Sequence, residues 1–273
     1  MSDTFKNAQQ LPGRSIGTVN WLGLYTLYLK ECRRFMKVWA QTLAAPAVTT
    51  VLFMVIFSLA LGGQGRMVAD MPYAQFLAPG LIVMAILQNA FANTSSSILI
   101  AKVQGNIVDT LMPPLSALEL TAGFAVGGIT RGILVGLSVG IAFILMPGVD
   151  MSIAHLWAVI YYGLAASMML SLAGILTGVW AEKFDHSAFV TNFIIAPLSL
   201  LSGTFYSISR LSESWQFFSH LNPFFYLIDG FRYGLIGRAD SDLMVGVTFT
   251  LVLNIILMFA VYFVFKKGYR LKA

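Results

Sequence analysis

The sequence predicts an all-α polytopic membrane protein with six transmembrane helices. Three observations predict it. First, 58% of the 273 residues are hydrophobic and only 11% are charged, where soluble domains carry about a quarter charged residues. So few charges cannot cover a water-soluble core that holds all this apolar surface, so the bilayer is its solvent. Second, the apolar residues fall in runs that suit the ~30 Å hydrocarbon core, which takes roughly 20 residues of helix. Third, Lys and Arg are distributed unevenly between the connecting segments.

Residues 1–16 are polar, contain Pro12 and Gly13, and read as a disordered tail. The first apolar run begins near Thr42, far behind this polar start, so it reads as an anchor that stays and not as a cleaved signal. Over 17–38 apolar Leu22, Leu24, Tyr25, Leu29 and Phe35 interleave with Lys30, Glu31, Arg33, Arg34 and Lys37, with Trp21 near the start and Trp39 just beyond the end. This is the pattern of an amphipathic helix at the membrane interface, its basic side chains snorkelling toward anionic headgroups; a solvated helix touching a partner is the blander alternative. The first span is expected over 42–61, with Pro46 in its first turn, where a missing N–H costs little. A glycine-rich loop follows. The second span, 76–100, ends in Asn93-Thr94-Ser95-Ser96-Ser97. Such a polar run belongs against protein or water, not lipid.

Residues 101–119 are too polar and too broken to span. Asn106, Ile107, Val108, Asp109, Thr110, Leu111 and Met112 make about two helical turns, stopped by Pro113 and Pro114. Ser116 and Glu119 have the spacing of a capping box that launches the third span, 120–145. In that span Gly128, Gly132, Gly136 and Gly140 recur every four residues, which places them on one stripe of a helix. The stripe serves close helix packing, either within the chain or at a dimer seam. Arg131 lies between these glycines. A charge at such depth seldom faces lipid; it either snorkels to the surface or faces a polar cavity, a partner or a substrate's anionic group.

A fourth span is expected over 153–181, marked by Trp157, Tyr161 and Tyr162 near one end and Trp180 near the other. The fifth, 187–201, is short and kinked by Pro197. It breaks at Leu201, Ser202 and Gly203. An aromatic, half-polar segment over 202–225 follows, which reads as a membrane-inserted hairpin between the fifth span and the sixth, 243–265. Asn222 and Pro223 close it, and Asp229 and Arg232 stand three residues apart, the spacing of a local helical pair.

Six spans put both termini on one side. Twelve of the seventeen Lys and Arg residues then fall on that side, four fall on the other, and Arg131 lies inside a span. The positive-inside rule makes the terminal side cytoplasmic. The 101–119 segment is therefore cytoplasmic and the hairpin extracytoplasmic.

Two stretches resemble the permease subunits of type-2 ATP-binding-cassette (ABC) exporters. One is Asp109-Thr110-Leu111-Met112-Pro113-Pro114 followed by Ser116, Leu118 and Glu119; the other is Pro197, Leu201, Ser202, Gly203, Asn222, Pro223 and Arg232. The resemblance covers the chain from about residue 15 to 270. The resemblance implies a single transmembrane domain over 1–273 whose 101–119 segment, residues 106–114 above all, is a coupling helix for a separate ABC ATPase. It implies two permease copies, as a homodimer, with two ATPase subunits that hold ATP and Mg2+, while the permease chain carries no cofactor of its own. It further implies the bacterial inner membrane, export along a path at the dimer seam, and membrane lipids as neighbours. Drug, polysaccharide and nodulation-factor exporters all fall within this likeness.

The residues exclude other classes. There is no G-x-x-x-x-G-K-[ST] phosphate loop, so the chain is not expected to hydrolyse ATP alone. No nucleophile constellation stands out, and His155, His186 and His220 lack metal-ligand spacing. Cys32 is the single cysteine, so no intrachain disulfide is possible. The basic excess is spent on topology, which points to lipid and not to nucleic acid. An ion-coupled secondary transporter is disfavoured by the missing intramembrane carboxylates and internal repeats. A membrane scaffold or assembly protein that carries nothing is the remaining alternative.

Overall fold

The computed structural model describes residues 17–62, 67–68, 71–146, 149–208 and 211–269. The expected tail over 1–16, most of the glycine-rich loop, Arg210 in the hairpin and the last basic residues lie outside the described residues. Five helices are long and apolar enough to cross a membrane: Ala40–Ala60, Tyr73–Val103, Ala117–Ile144, Leu156–Trp180 and Leu243–Lys267. They match five of the six expected spans to within a few residues.

The chain opens with α1 (Trp21–Met36), capped by Asn20, whose side chain accepts from the Gly23 N–H. A π-helical turn, Ala40–Ala44, leads into α2 (Ala45–Gly62). Two-residue strands β1 (Met67–Val68) and β2 (Met71–Pro72) pair antiparallel before α3 (Tyr73–Val103). Then come α4 (Ile107–Leu111), α5 (Ala117–Ile144) and α6 (Leu156–Trp180). The stretch expected as the fifth span is three successive pieces: α7 (Phe184–Val190), a second π turn (Thr191–Ile195) and α8 (Ala196–Leu200), of 7, 5 and 5 residues. Both π turns sit just before a proline, Pro46 or Pro197. Proline has no N–H to return to the carbonyl four residues back, so the backbone widens there. The hairpin is α9 (Glu213–Leu221) and α10 (Pro223–Ile236), and α11 (Leu243–Lys267) ends the fold.

The helix α10 runs well past residue 225, where the hairpin was expected to end. Asn222 caps it, Pro223 takes its first position, and Gly237 ends it at φ 78°, a left-handed conformation glycine adopts without strain.

The hub is α3, packed by α2, α5, α6 and α10. Its most apolar window is 78% buried, against 11% for α2 and 22% for α11. A helix so exposed and so apolar meets lipid or another chain. The polar run at the end of α3 is turned inward: Asn93, Thr94, Ser95 and Ser97 are buried, and Thr94 donates to the Ser171 carbonyl of α6 at 2.8 Å. Gly128 lies against Ser171 and Thr94, Gly132 against Ala90, and Gly136 against Ile86, so these three glycines let α5 approach α3 and α6; Gly140 has nothing within 4 Å of its added methyl position.

The helix α3 is about 45 Å long at 1.5 Å per residue, and it separates two ends of the bundle. At one end Leu27 of α1, Ile107 of α4, Leu120 and Phe124 of α5 and Phe265 of α11 share a core. The described N- and C-terminal helices therefore meet beside α4. At the other end the starts of α3, α6 and α11 pack around the hairpin.

Candidate functional site

The α4 end is a small platform held from behind. Gly105, at φ 72°, ends the long helix α3, and α4 follows after Asn106. Ile107 and Thr110, three apart, face inward. Lys30 of α1 donates to Thr110 Oγ1 at 2.8 Å. Lys102 donates to the Val179 and Ala181 carbonyls at 2.5 and 2.7 Å, a cation on the free carbonyl end of α6. Ser116 and Glu119 form the expected capping box, each side chain bonding the other's backbone N–H. The second Glu119 oxygen accepts from the Asn20 N–H at 2.5 Å, and Asn20 Nδ2 donates to the Pro114 carbonyl at 3.2 Å. The α4 turn and its proline pair are thus clamped to the start of α1. Leu111 is half-buried, whereas Asn106, Val108, Asp109, Met112, Pro113 and Pro114 are exposed, Met112 at 76%. The result is a rigid, outward-facing apolar and acidic surface with no catalytic group.

Glu31 is a residue that the sequence reading left among the surface charges. It is fully buried, resting on Gly127 of α5. It accepts from Ser97 at 2.6 Å and pairs with Arg34 at 3.1 Å. Arg34 also donates to Asn93 Oδ1 at 2.9 Å. The (i, i+3) spacing of one acid and one base on α1 was the available signal. One face of α1 is therefore locked to α3 and α5, while Trp21, Leu22 and Tyr25 remain exposed.

The hairpin end is closed on itself. Arg232 is buried, with its guanidinium 4.1 Å above the Phe76 ring. It donates to the Gly203 carbonyl at 2.7 Å and lies 3.7 Å from Asp229. Asp229 accepts from the Asp240 and Ser241 N–H groups, each at 2.9 Å, and from Ser241 Oγ at 2.7 Å. Burial pushes the Asp229 carboxyl up and the Arg232 guanidinium down, and each charge opposes the shift of the other. Asn222 donates to the Leu198 carbonyl at 2.7 Å, tying α10 back to α8 next to Pro197. Ser202 and Thr204 bond the Ser199 carbonyl, and Tyr73 donates to the Phe205 carbonyl at 2.9 Å. The structure thus brings Ser202, Gly203, Asn222, Pro223 and Arg232 into one network, with Pro197 at its edge. On α9 the aromatic side chains Trp215, Phe217 and Phe218 point outward.

Arg131 stands apart from both ends, at the middle of α5. Its Nη2 donates to Asn89 Oδ1 of α3 at 3.1 Å. The guanidinium is therefore turned toward α3, the helix that Gly128, Gly132 and Gly136 also approach.

The sequence profile of the ABC-2 type transporter family matches residues 23–236, from α1 through α10. The chain belongs to the ABC-2 type transporter family. It is a permease subunit, a multi-pass membrane protein of all-α architecture. It is 40% identical over 226 residues to the Inner membrane transport permease YadH of Escherichia coli K12, an overlap of 82% of this chain and 87% of that protein. The same identity and overlap hold for YadH of Shigella flexneri. Nodulation protein J of Neorhizobium galegae is 25% identical over 235 residues, covering 83% of this chain and 85% of its own. Family membership implies an ABC ATPase as partner.

Proposed function

We propose that this ABC-2 permease forms the translocation path of an ATP-driven exporter in the bacterial inner membrane. It works as a homodimer with two separate ABC ATPase subunits, which bind the ATP and Mg2+. The α4 platform is the coupling helix, and 106–114 are the residues the ATPase meets. Both termini are cytoplasmic, α7 and α8 together cross as the fifth span, and the hairpin forms the outer end of the path. The observation that carries this reading is the α4 surface itself: Val108, Asp109 and Met112 exposed on a turn fixed from behind by Ile107, Thr110 and the Asn20 clamp. An ATPase movement applied to such a turn is passed to α1, α3 and α5 instead of being absorbed by a slack loop. The exposed apolar faces of α2 and of α7–α8, including Leu52, Ile56, Phe189 and Phe193, suit a dimer seam. The inner-membrane location is supported by the name of the YadH relative.

The test is a pull-down of the tagged full-length protein from mild detergent, with partners identified by mass spectrometry. The expected result is a stoichiometric protein carrying a phosphate loop. A well-folded permease recovered alone in several mild detergents would contradict the reading and favour a scaffold.

A further inference from the structure

Arg131 is a cation inside the spans without an anion. Half-buried Arg34 pairs with Glu31 and buried Arg232 with Asp229, whereas half-buried Arg131 has no such partner. Among the described residues Arg131 makes no ion pair; its Nε, like those of Arg34 and Arg232, is buried without a hydrogen-bond partner. Its hydrogen-bond acceptor is the neutral amide of Asn89. Helices α2, α3, α6 and α11 contain no Asp or Glu, α5 contains only Glu119, and α7 only Asp185; Glu31 of α1 rests on Gly127, one turn from Arg131, and is committed to Arg34 and Ser97. Glu119 lies three helical turns away and is committed to the capping box. A second copy of the chain brings the same spans and hence the same lack of carboxylates. Charges at such depth are paired, face water or serve a ligand.

Asn89 also lines a cleft of about 320 Å³ between α2 and α3. Because the two helices run antiparallel, the cleft has a polar end and an apolar end. Gln41, in the π turn before α2, and Gln88 and Asn89 of α3 line the polar end; Phe53 of α2 and Leu81 of α3 line the apolar end. Arg131 stands behind the polar end, and in a low-dielectric wall its charge acts over several ångströms.

We infer that the α2–α3 cleft binds an amphipathic anion, its phosphate or carboxylate head at Gln88 and Asn89 with Arg131 behind them, and its alkyl chain toward Phe53 and Leu81. Resting on the exporter reading, this gives that exporter's substrate class, or an anionic membrane lipid held on the same path. Arg131 is a positioning residue here: it supplies charge through Asn89.

The test uses the full-length permease in phosphatidylcholine nanodiscs, with empty discs subtracted. Decyl phosphate is expected to bind about tenfold or more tightly than either decyltrimethylammonium or inorganic phosphate. Arg131→Gln removes the preference for the anionic head, and Arg131→Lys keeps it. Gln88→Glu, an exposed position that tolerates change, sets a carboxylate in the cleft and removes the preference without touching α5. Doping the discs with phosphatidylglycerol separates the two sources. Displacement of decyl phosphate identifies a membrane lipid, persistence identifies a transported amphiphile, and both retain the anion site. Equal binding of the two decyl probes, or a preference that survives Gln88→Glu, overturns the inference. The measurement needs no ATPase, so a missing ATPase partner would remove the exporter reading and leave this result standing.

Discussion

The two ends of the bundle spend their polar groups differently. At the hairpin end Asp229 and Arg232 are buried and bonded to each other, to backbone and to a ring. The aromatic side chains of α9 face outward there. At the α4 end the charged groups Lys30, Lys102 and Glu119 are used as props, and what they prop is an exposed face. Arg232 is 3% exposed and Met112 is 76%. The difference teaches where each end's residues act: the hairpin residues hold the fold, and the α4 residues wait for a partner. Substitutions should therefore separate the ends, with stability lost at one and assembly lost at the other.

The largest expected effect is at Arg232. Arg232→Met leaves the Asp229 carboxylate buried without its cation, which costs about 3–5 kcal/mol. Thermal melting in detergent should show it as a large fall in Tm, and the double change with Asp229→Asn should recover part of the loss. A wild-type Tm for Arg232→Met would break the comparison. Next is Gly230, where an added methyl would fall on the Tyr162 ring. Gly230→Ala should cost about 1–3 kcal/mol by overpacking, read in the same melt. Smaller still is Lys30→Ala, which removes the bond to Thr110 and should cost about 1 kcal/mol; here the sharper readout is faster proteolysis near 104–114.

Much of this architecture is legible in the sequence because lipid and capping rules act locally. The apolar runs place five spans, and Ser116 with Glu119 marks the start of α5. Pro113 and Pro114 stop α4. The helix α10 is harder to read because it is buried on nearly every side, Asp229 and Arg232 included; Asn222-Pro223 at its start and Gly237 at its end are what mark it. The fifth expected span is legible as a proline-broken segment, but its division into α7, a π turn and α8 follows from a backbone register that side-chain patterns do not encode. At the site, the exposed and buried positions of α4 follow from Ile107 and Thr110 being three apart. The direction of Arg131 does not follow from α5 alone, because it depends on where Asn89 of another helix stands. Glu31 is hidden for a related reason: its burial is decided by Gly127, about a hundred residues later in the chain.

The measurement that tests the coupling role of α4 most directly is the affinity of the ATPase subunit for the permease in nanodiscs, wild type against Val108→Ser/Met112→Ser. Both side chains are exposed, so the melt should stay within about 0.5 kcal/mol of wild type. If α4 is the docking surface, ATPase affinity falls by about tenfold or more, as loss of apolar anchors at an interface centre does. If affinity is unchanged while the fold is intact, the ATPase binds elsewhere and α4 is an ordinary connection between spans.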